Sequence, residues 1–133
     1  MNNECNKEIL KSNKLPQPVG PYSIGIRINH FLFFSGQLGI DPVSNQLVQG
    51  GIEAQVRQAL ENLKSLLVDS GCNLSDVVKT TVFLKDIKDF SSMNRIYAEF
   101  FNQDPPARSA IQVAALPKDG LVEIEAIAFE SQS

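Results

Sequence analysis

The chain has 133 residues, of which 43% are hydrophobic and 20% are charged, and this composition fits one globular domain with its own core. A net charge of −3 and an isoelectric point near 5.1 provide no basic surface for nucleic acid or an anionic membrane. No apolar run approaches the ~20 residues of a membrane span, and the polar N-terminus does not predict a secretory signal.

The two cysteines, Cys5 and Cys72, are far apart and belong to no CxxC motif or histidine cluster. We expect both to be free thiols in a reducing compartment, with the cytoplasm as the default location. His30 is the single histidine and falls in a predicted turn, so the sequence indicates neither a metal site nor a serine–histidine–acid triad. No glycine-rich phosphate-binding loop precedes a predicted helix.

The sequence predicts a single domain over residues 1–133. Its N-terminal segment is expected to be an arm. Residues 1 to about 14 are polar, and we expect them to be flexible. Residues 15–21 include three prolines, which fix φ and remove backbone donors, so this stretch should run extended into the first strand.

A strand pair is predicted after the arm. Residues 22–28 alternate like a strand, Asn29-His30 is a two-residue turn, and residues 31–35 form a continuous apolar strand that we expect to be covered on both sides. Gly36 indicates a bulge or a close approach of another group. Residues 46–49 are predicted to form a short edge strand.

Two amphipathic helices flank a third strand in the middle of the chain. Apolar residues recur at three- and four-residue steps over residues 52–70 and 90–101. Gly71 is placed to end the first helix, and Asp89 is a candidate N-cap of the second. Residues 76–84 are rich in β-branched side chains and predict a strand.

The last part of the chain is predicted to form two strands, residues 107–115 and 121–129, joined by a tight turn. Period-two alternation puts Arg108 on one face of its strand with Ala110. Glu123 and Glu125 share a face of the other strand. A guanidinium and a carboxylate are therefore expected from neighbouring strands, and this pair is the candidate site.

These elements predict a two-layer α/β sandwich, with a mixed sheet of about six strands and both helices on one face. The other face is expected to carry Arg108, Gln112 or Glu123 among small and apolar residues. Because such a mixed face often packs against another copy of the chain, we expect an oligomer.

A series of stretches between residues 18 and 129 resembles the Rid (YjgF-like) family of enamine/imine deaminases, and specifically its RidA group. The stretches are Gly20-Pro21-Tyr22, Ser35-Gly36-Gln37, QVRQALENLK, DVVKTTVFLKDIKDF, MNRIYAEFF, PARS, VAALPKD and VEIEAIA. They cover nearly the whole of the predicted domain.

The resemblance implies a chorismate-mutase-like fold assembled as a homotrimer, with active sites in the clefts between subunits. It also implies hydrolysis of 2-iminobutanoate and 2-iminopropanoate to 2-keto acids and ammonia, without a cofactor. These imines come from the enamines, such as 2-aminoacrylate, that pyridoxal-phosphate dehydratases release from threonine and serine. The implied role is therefore the control of metabolite damage.

Site residues follow from the resemblance motif by motif. Arg108 in PARS corresponds to the arginine of the family that binds the substrate carboxylate. Glu123, the first glutamate of EIEAIA, corresponds to the carboxylate associated with water. Tyr22, Ser35 and Asn94 occupy the remaining pocket positions.

One position departs from many bacterial members of the family, which carry cysteine two residues after the arginine. This chain has Ala110 there, which excludes a thiol mechanism. The backbone carbonyl of Ala110 could still orient a water molecule, and other members also carry alanine.

Each candidate residue also has a plainer interpretation. Arg108 could form a structural ion pair with Glu123 or Glu125, and the two glutamates could be a solvated strand face. Asn94, on the apolar side of its helix, could bond to backbone in a neighbouring strand. Hydroxyl groups such as those of Tyr22 and Ser35 are common near strand ends.

Two other functions remain open at this point. One is a single-stranded RNA-binding endoribonuclease or translation inhibitor, which the acidic composition disfavours. The other is a non-catalytic trimer that binds small carboxylates or acts like a chaperone. The first predicts steeply salt-dependent RNA binding, and the second predicts ligand binding without faster imine decay.

Overall fold

The fold is a six-stranded mixed sheet with two helices packed on it, as the sequence predicts. It was obtained as a computed structural model that describes residues 6–18 and 20–131. The strands are β1 (Lys7–Leu10), β2 (Gly25–Ile28), β3 (Phe31–Leu38), β4 (Val77–Leu84), β5 (Ala107–Gln112) and β6 (Val122–Phe129). The helices are α1 (Gly51–Asp69) and α2 (Phe90–Phe100). The sheet order is β1-β2-β3-β6-β4-β5, and only β4 and β5 are parallel.

Helices α1 and α2 bury their apolar stripes against the sheet. Gly71 has a φ of 85°, in the left-handed region that glycine tolerates, which confirms its predicted place after α1. Asp89 precedes α2 as predicted, but its side chain forms no capping hydrogen bond to the described backbone. Fully buried side chains of the helices and the central strands form the core: Val56, Leu60, Leu63, Leu66, Leu67, Val82, Leu84, Val122 and Ile124.

The predicted hairpin around Asn29-His30 is confirmed. Ile28 pairs with Phe31, so two residues form the turn, and Asn29 has a φ of 54°. The pairing of β3 with β6 shifts its register around Gly36, which confirms the predicted bulge.

The loop after β3 contains less strand than predicted. In the described chain, one isolated bridge joins Ile40 to Leu47 in place of the edge strand expected over residues 46–49. The Asp41 side chain accepts a hydrogen bond from the backbone of Val43 at 2.7 Å, and this bond stabilises a turn there instead.

The prediction of a flexible arm is wrong for Lys7–Leu10. These residues form β1 and pair antiparallel with β2, and Leu10 is buried. The sequence pattern missed β1 because an edge strand of four residues exposes most of its side chains, so its composition looks polar. Cys5 lies outside the described residues, whereas Cys72 is a free buried thiol.

The prediction that the last two strands form a hairpin is also wrong. Strand β5 ends at Gln112 and pairs in parallel with β4, while β6 pairs antiparallel with β3 and β4. Strand β4 therefore lies between the two. The alternating aliphatic residues of β6 favour a central position, where both edges of the strand are paired and one face is buried.

The face of the sheet away from the helices is apolar and uncovered in the single chain. We call it the open face. Large apolar side chains on it are 41–51% exposed, namely Ile9, Phe31, Phe33, Ile111 and Phe129. The expectation that the FLFF strand is covered on both sides is therefore wrong for the single chain, since Phe31 and Phe33 alternate with the buried Leu32 and Phe34. An exposed apolar patch of this kind is typical of a protein interface.

Among the described residues, neither helix has the length and apolar character that crossing a bilayer requires.

Arg27 of β2 ties three chain segments together. Its guanidinium donates to the carbonyl of Ser70 at the end of α1, to Glu8 of β1 at 2.8 Å and to Glu130 after β6 at 3.0 Å. The side chain is only 20% exposed, so these bonds are partly shielded from water.

We expect Arg27→Met to lower the free energy of unfolding by about 1–3 kcal/mol, because Ser70 and Glu130 lose a charged donor. Urea unfolding at fixed protein concentration measures this change. The control is Arg57→Met, which removes the exposed ion pair with Glu99 and should change the midpoint much less. Equal shifts for the two variants would contradict the role of Arg27.

Candidate active site

A cavity of about 450 Å³ opens beside the bulge in β3. Its walls come from the extended segment before β2, the end of β3, the turn before β6 and β6 itself. Tyr22, Ser35 and Glu123, three residues that the sequence predicted for the site, all line it. Glu125 lines it as well.

Glu123 occupies space that only a glycine at position 36 leaves open. A methyl group on Gly36 would lie 2.6 Å from Glu123 Oε2, closer than real contacts allow. The carboxylate therefore packs directly over the bulge. Burial raises the pKa of Glu123 above its usual value, and the charge of Glu125 raises it further.

The Ser35 side chain fixes the strand pair beside the cavity. Its hydroxyl donates to the carbonyl of Ser23 at 2.6 Å, and its backbone N–H donates to the carbonyl of Ile24 at 2.9 Å. Tyr22 directly precedes Ser23 in the chain. It lines the cavity and is 51% exposed, so it lies at the mouth of the cavity. Ser35 thus positions the segment that carries Tyr22.

Arg108 lies in a different environment, among side chains of α2. Its guanidinium stacks 4.8 Å from the ring centre of Tyr97 and 5.5 Å from that of Phe90. Its Nη1 is 3.8 Å from the sulfur of Met93. None of the ion pairs among the described residues includes Arg108. The alternative of a structural ion pair with a glutamate of the same chain is therefore wrong.

Asn94 lies on α2, the helix whose side chains surround Arg108, and Ala110 lies on β5, the strand that carries Arg108. Asn94 is half-buried on α2, directly after Met93, and Ala110 follows Arg108 by two residues on β5. Ala110 packs against the core and pairs with Val82 of β4. The predicted site residues thus form two sets within one chain: one at the cavity and one on α2 and β5.

The two sets lie on opposite faces of the sheet. Arg108 pairs with the buried Thr80 and so faces the helices, whereas Glu123 pairs with Phe83 on the open face. The prediction that Arg108 lies on the face without helices is wrong, and so is the prediction that neighbouring strands present the two charges. For Glu123 the predicted face is correct.

Gln112 was also expected on the face without helices, and this is wrong too. It pairs with the buried Leu84, on the same side as the arginine. Its side-chain oxygen accepts a hydrogen bond from the backbone N–H of Ile87 at 2.8 Å. Gln112 therefore ties β5 to the segment before α2.

Sequence reasoning missed several residues of both sets. Lys118 lines the cavity from the turn before β6, with a φ of 57°, and its Nζ donates to the carbonyl of Asn45 at 3.4 Å. Phe90, Met93 and Tyr97 were assigned only to the apolar stripe of α2. Their three- and four-residue spacing predicts an apolar helix face, but it does not show that these side chains contact Arg108. In the described residues, no group of three or more histidine, cysteine, aspartate or glutamate side chains is placed to hold a metal ion.

We expect Glu125→Gln to lower the pKa of Glu123, because it removes a like charge. The pKa should stay above its usual value, since burial is the larger cause of the shift. The ionised form of Glu123 would then persist to lower pH. Carboxyl chemical shifts followed by NMR titration measure this change. A pKa of Glu123 that does not move in the variant would contradict the coupling.

Three comparisons with known proteins bear on this arrangement. The sequence profile described as Endoribonuclease L-PSP matches residues 12–130. A RutC family protein of Pyrococcus horikoshii is 50% identical over 93% of this chain and 98% of its own length. The 2-iminobutanoate/2-iminopropanoate deaminase of Bos taurus is 48% identical over 93% of this chain and 90% of its own.

Solved structures of similar sequence have the same fold as this chain. The crystal structure of E. coli TdcF with bound serine superposes with a TM-score of 0.89 at 38% identity, covering 93% of this chain and 99% of that one. The chain therefore belongs to the endoribonuclease L-PSP family, the YjgF/Rid family that its motifs resemble.

Proposed function

We propose that the protein is a cofactor-independent deaminase that hydrolyses 2-iminobutanoate and 2-iminopropanoate to 2-keto acids and ammonia. The observation that carries the proposal is the Arg108 guanidinium, which two aromatic rings hold while no carboxylate of the described chain pairs with it. The deaminase named for this reaction in Bos taurus is 48% identical to this chain.

A guanidinium held in this way suits a small carboxylate ligand. Its planar fork donates two parallel hydrogen bonds to a carboxylate, and its charge is permanent. The rings of Phe90 and Tyr97 stack on the arginine, and its Nη1 donates to the sulfur of Met93, a weak acceptor that a carboxylate can replace. The E. coli TdcF structure contains serine, which also bears a carboxylate, and this supports the same ligand class here.

We propose further that each site combines two copies of the chain. Arg108 and Glu123 lie on opposite faces of one sheet, so one chain cannot bring them together. The apolar open face provides a surface for association. A closed homotrimer would let each copy supply Arg108 to one site and Glu123 to the next.

The proposed reaction adds water across the C=N bond. Arg108 binds the carboxylate, and Glu123 and the carbonyl of Ala110 hold the water. As the water oxygen bonds to the imine carbon, Glu123 takes one proton from the water and passes it to the imine nitrogen, which gives a carbinolamine. Loss of ammonia then leaves the keto acid. A carboxyl group with a raised pKa suits this exchange of protons near neutral pH.

The remaining residues have supporting roles in this proposal. Tyr22 at the cavity mouth and Asn94 on α2 would contact the substrate, and Ser35 would hold the Tyr22 segment in place. Free imines already hydrolyse in water, so positioning and electrostatics worth a few kcal/mol each suffice, to order of magnitude. The cytoplasm, where dehydratases form the imines, is the proposed location.

The description of the family as an endoribonuclease favours RNA cleavage as a second candidate function. The net charge of −3 disfavours it, because single-stranded RNA is usually bound along a basic groove with stacking aromatics. RNA binding that weakens steeply with salt would support the nuclease. A non-catalytic carboxylate-binding trimer would instead bind 2-oxobutanoate without accelerating imine decay.

We expect Arg108→Ala to lower kcat/KM by about a hundredfold or more, since the substrate carboxylate loses its charged partner. The assay couples a threonine dehydratase to the protein and follows keto-acid formation while semicarbazide competes for the imine. Arg57→Ala, on the exposed surface of α1, is the control and should match the wild type. A wild-type protein no faster than buffer would refute the deaminase, and an active Arg108→Ala variant would refute the anchor.

Mixing two inactive variants tests whether copies share the site. Arg108→Ala and Glu123→Gln are unfolded together, refolded and assayed, with the mass in solution measured alongside. Random assortment should restore about a quarter of wild-type activity, because a site then draws intact Arg108 and Glu123 from different copies. No recovery in properly assembled mixtures, or a monomeric mass, would contradict the shared site.

A further inference from the structure

A buried hydrogen bond holds the tyrosine ring that stacks on the Arg108 guanidinium. Tyr97 of α2, whose ring stacks on the guanidinium, has its hydroxyl 2.7 Å from Thr80 Oγ1 of β4. Thr80 is fully buried and pairs with Arg108 in the parallel register of β4 and β5. Arg108 and Thr80, which holds the hydroxyl of Tyr97, thus lie side by side on adjacent strands.

The Tyr97 ring is held on a second side by Phe101, with 4.7 Å between ring centres. Tyr97 is itself buried, whereas Phe90, the other ring beside the arginine, is more than a third exposed. The buried ring of Tyr97 therefore contacts Arg108 from the protein interior, and the ring of Phe90 contacts it from the solvent side.

The chemistry of Tyr97 indicates a positioning role and no proton transfer. Burial raises the pKa of its phenol above the usual value, so the hydroxyl stays neutral at physiological pH. That hydroxyl is already bonded to Thr80. What Tyr97 presents to Arg108 is its ring, which attracts the cation and restricts the rotamers of a long side chain.

We propose that Tyr97 is a positioning residue whose ring pre-organises Arg108 for the carboxylate of the substrate. The inference rests on the proposed function, because it assumes that Arg108 binds a carboxylate. A pre-organised guanidinium loses less freedom when the ligand binds, so the ligand binds more tightly. The carboxylate is held in the ground state and in the transition state alike, so the effect belongs in KM rather than in kcat.

The test compares four variants of the full-length protein with the wild type. Tyr97→Leu removes the ring. Thr80→Val combined with Tyr97→Phe keeps the ring and removes both hydroxyls, so that no buried hydroxyl is left unpaired. Ile96→Ala, buried on the same helix without a contact to Arg108 among those described, controls for loosening of α2. Arg108→Ala controls for the carboxylate site.

Calorimetry with 2-oxobutanoate, the product of the proposed reaction, measures affinity, and the coupled assay measures KM and kcat separately. We expect Tyr97→Leu to weaken binding and raise KM by about tenfold, with kcat changed less than about threefold. The double variant should stay within about threefold of the wild type in both, because the ring remains. Ile96→Ala should lower the thermal midpoint and leave affinity unchanged.

The possible failures are distinguishable. If Arg108→Ala binds 2-oxobutanoate like the wild type, the carboxylate site of the proposed function is wrong and the positioning role falls with it. If Arg108→Ala loses binding while Tyr97→Leu retains it, only the positioning role is wrong. If Tyr97→Leu and Ile96→Ala weaken binding equally, Tyr97 is merely structural and the inference is overturned.

Discussion

The parallel pairing of β4 with β5 is the constraint on which the site depends. It puts β4 between the strand of Arg108 and the strand of Glu123, so the two charges cannot neutralise each other within one chain. It also sets Arg108 beside Thr80, on the side of the sheet that the helices cover. The arginine therefore lies among aromatic and sulfur-containing side chains, and no carboxylate of the described chain pairs with it.

The two halves of the proposed site differ in their physical character. Around Arg108, the protein stabilises a cation through ring stacking and removes its freedom of movement. Around Glu123, it destabilises an anion by burial and by the nearby charge of Glu125. A permanent cation that binds and a carboxyl group that exchanges its proton easily complement each other in imine hydrolysis. Neither half requires a strong base, because the uncatalysed reaction already proceeds in water.

Much of the local structure followed from the sequence, and the errors share one cause. The helical stripes, the turn at Asn29-His30 and the bulge at Gly36 depend on residues close together in the chain, and all were predicted correctly. The hairpin of the last two strands was wrong, because a strand's partner is decided by packing far along the chain. The missed strand β1 is an edge strand, whose exposed side chains leave no hydrophobic pattern to read.

By itself, the sequence determined the fold class, the family and the six candidate residues, since alternation and motifs are encoded locally. Period-two alternation established that Arg108 and Ala110 share a face, but it could not say which face the helices cover. Only the tertiary structure showed that the helices cover the face of β5 that carries Arg108, because the side of a strand that becomes buried depends on its neighbours in the sheet. The same packing selected Tyr97 and Thr80 as companions of Arg108, from segments 11 and 28 residues away in the chain.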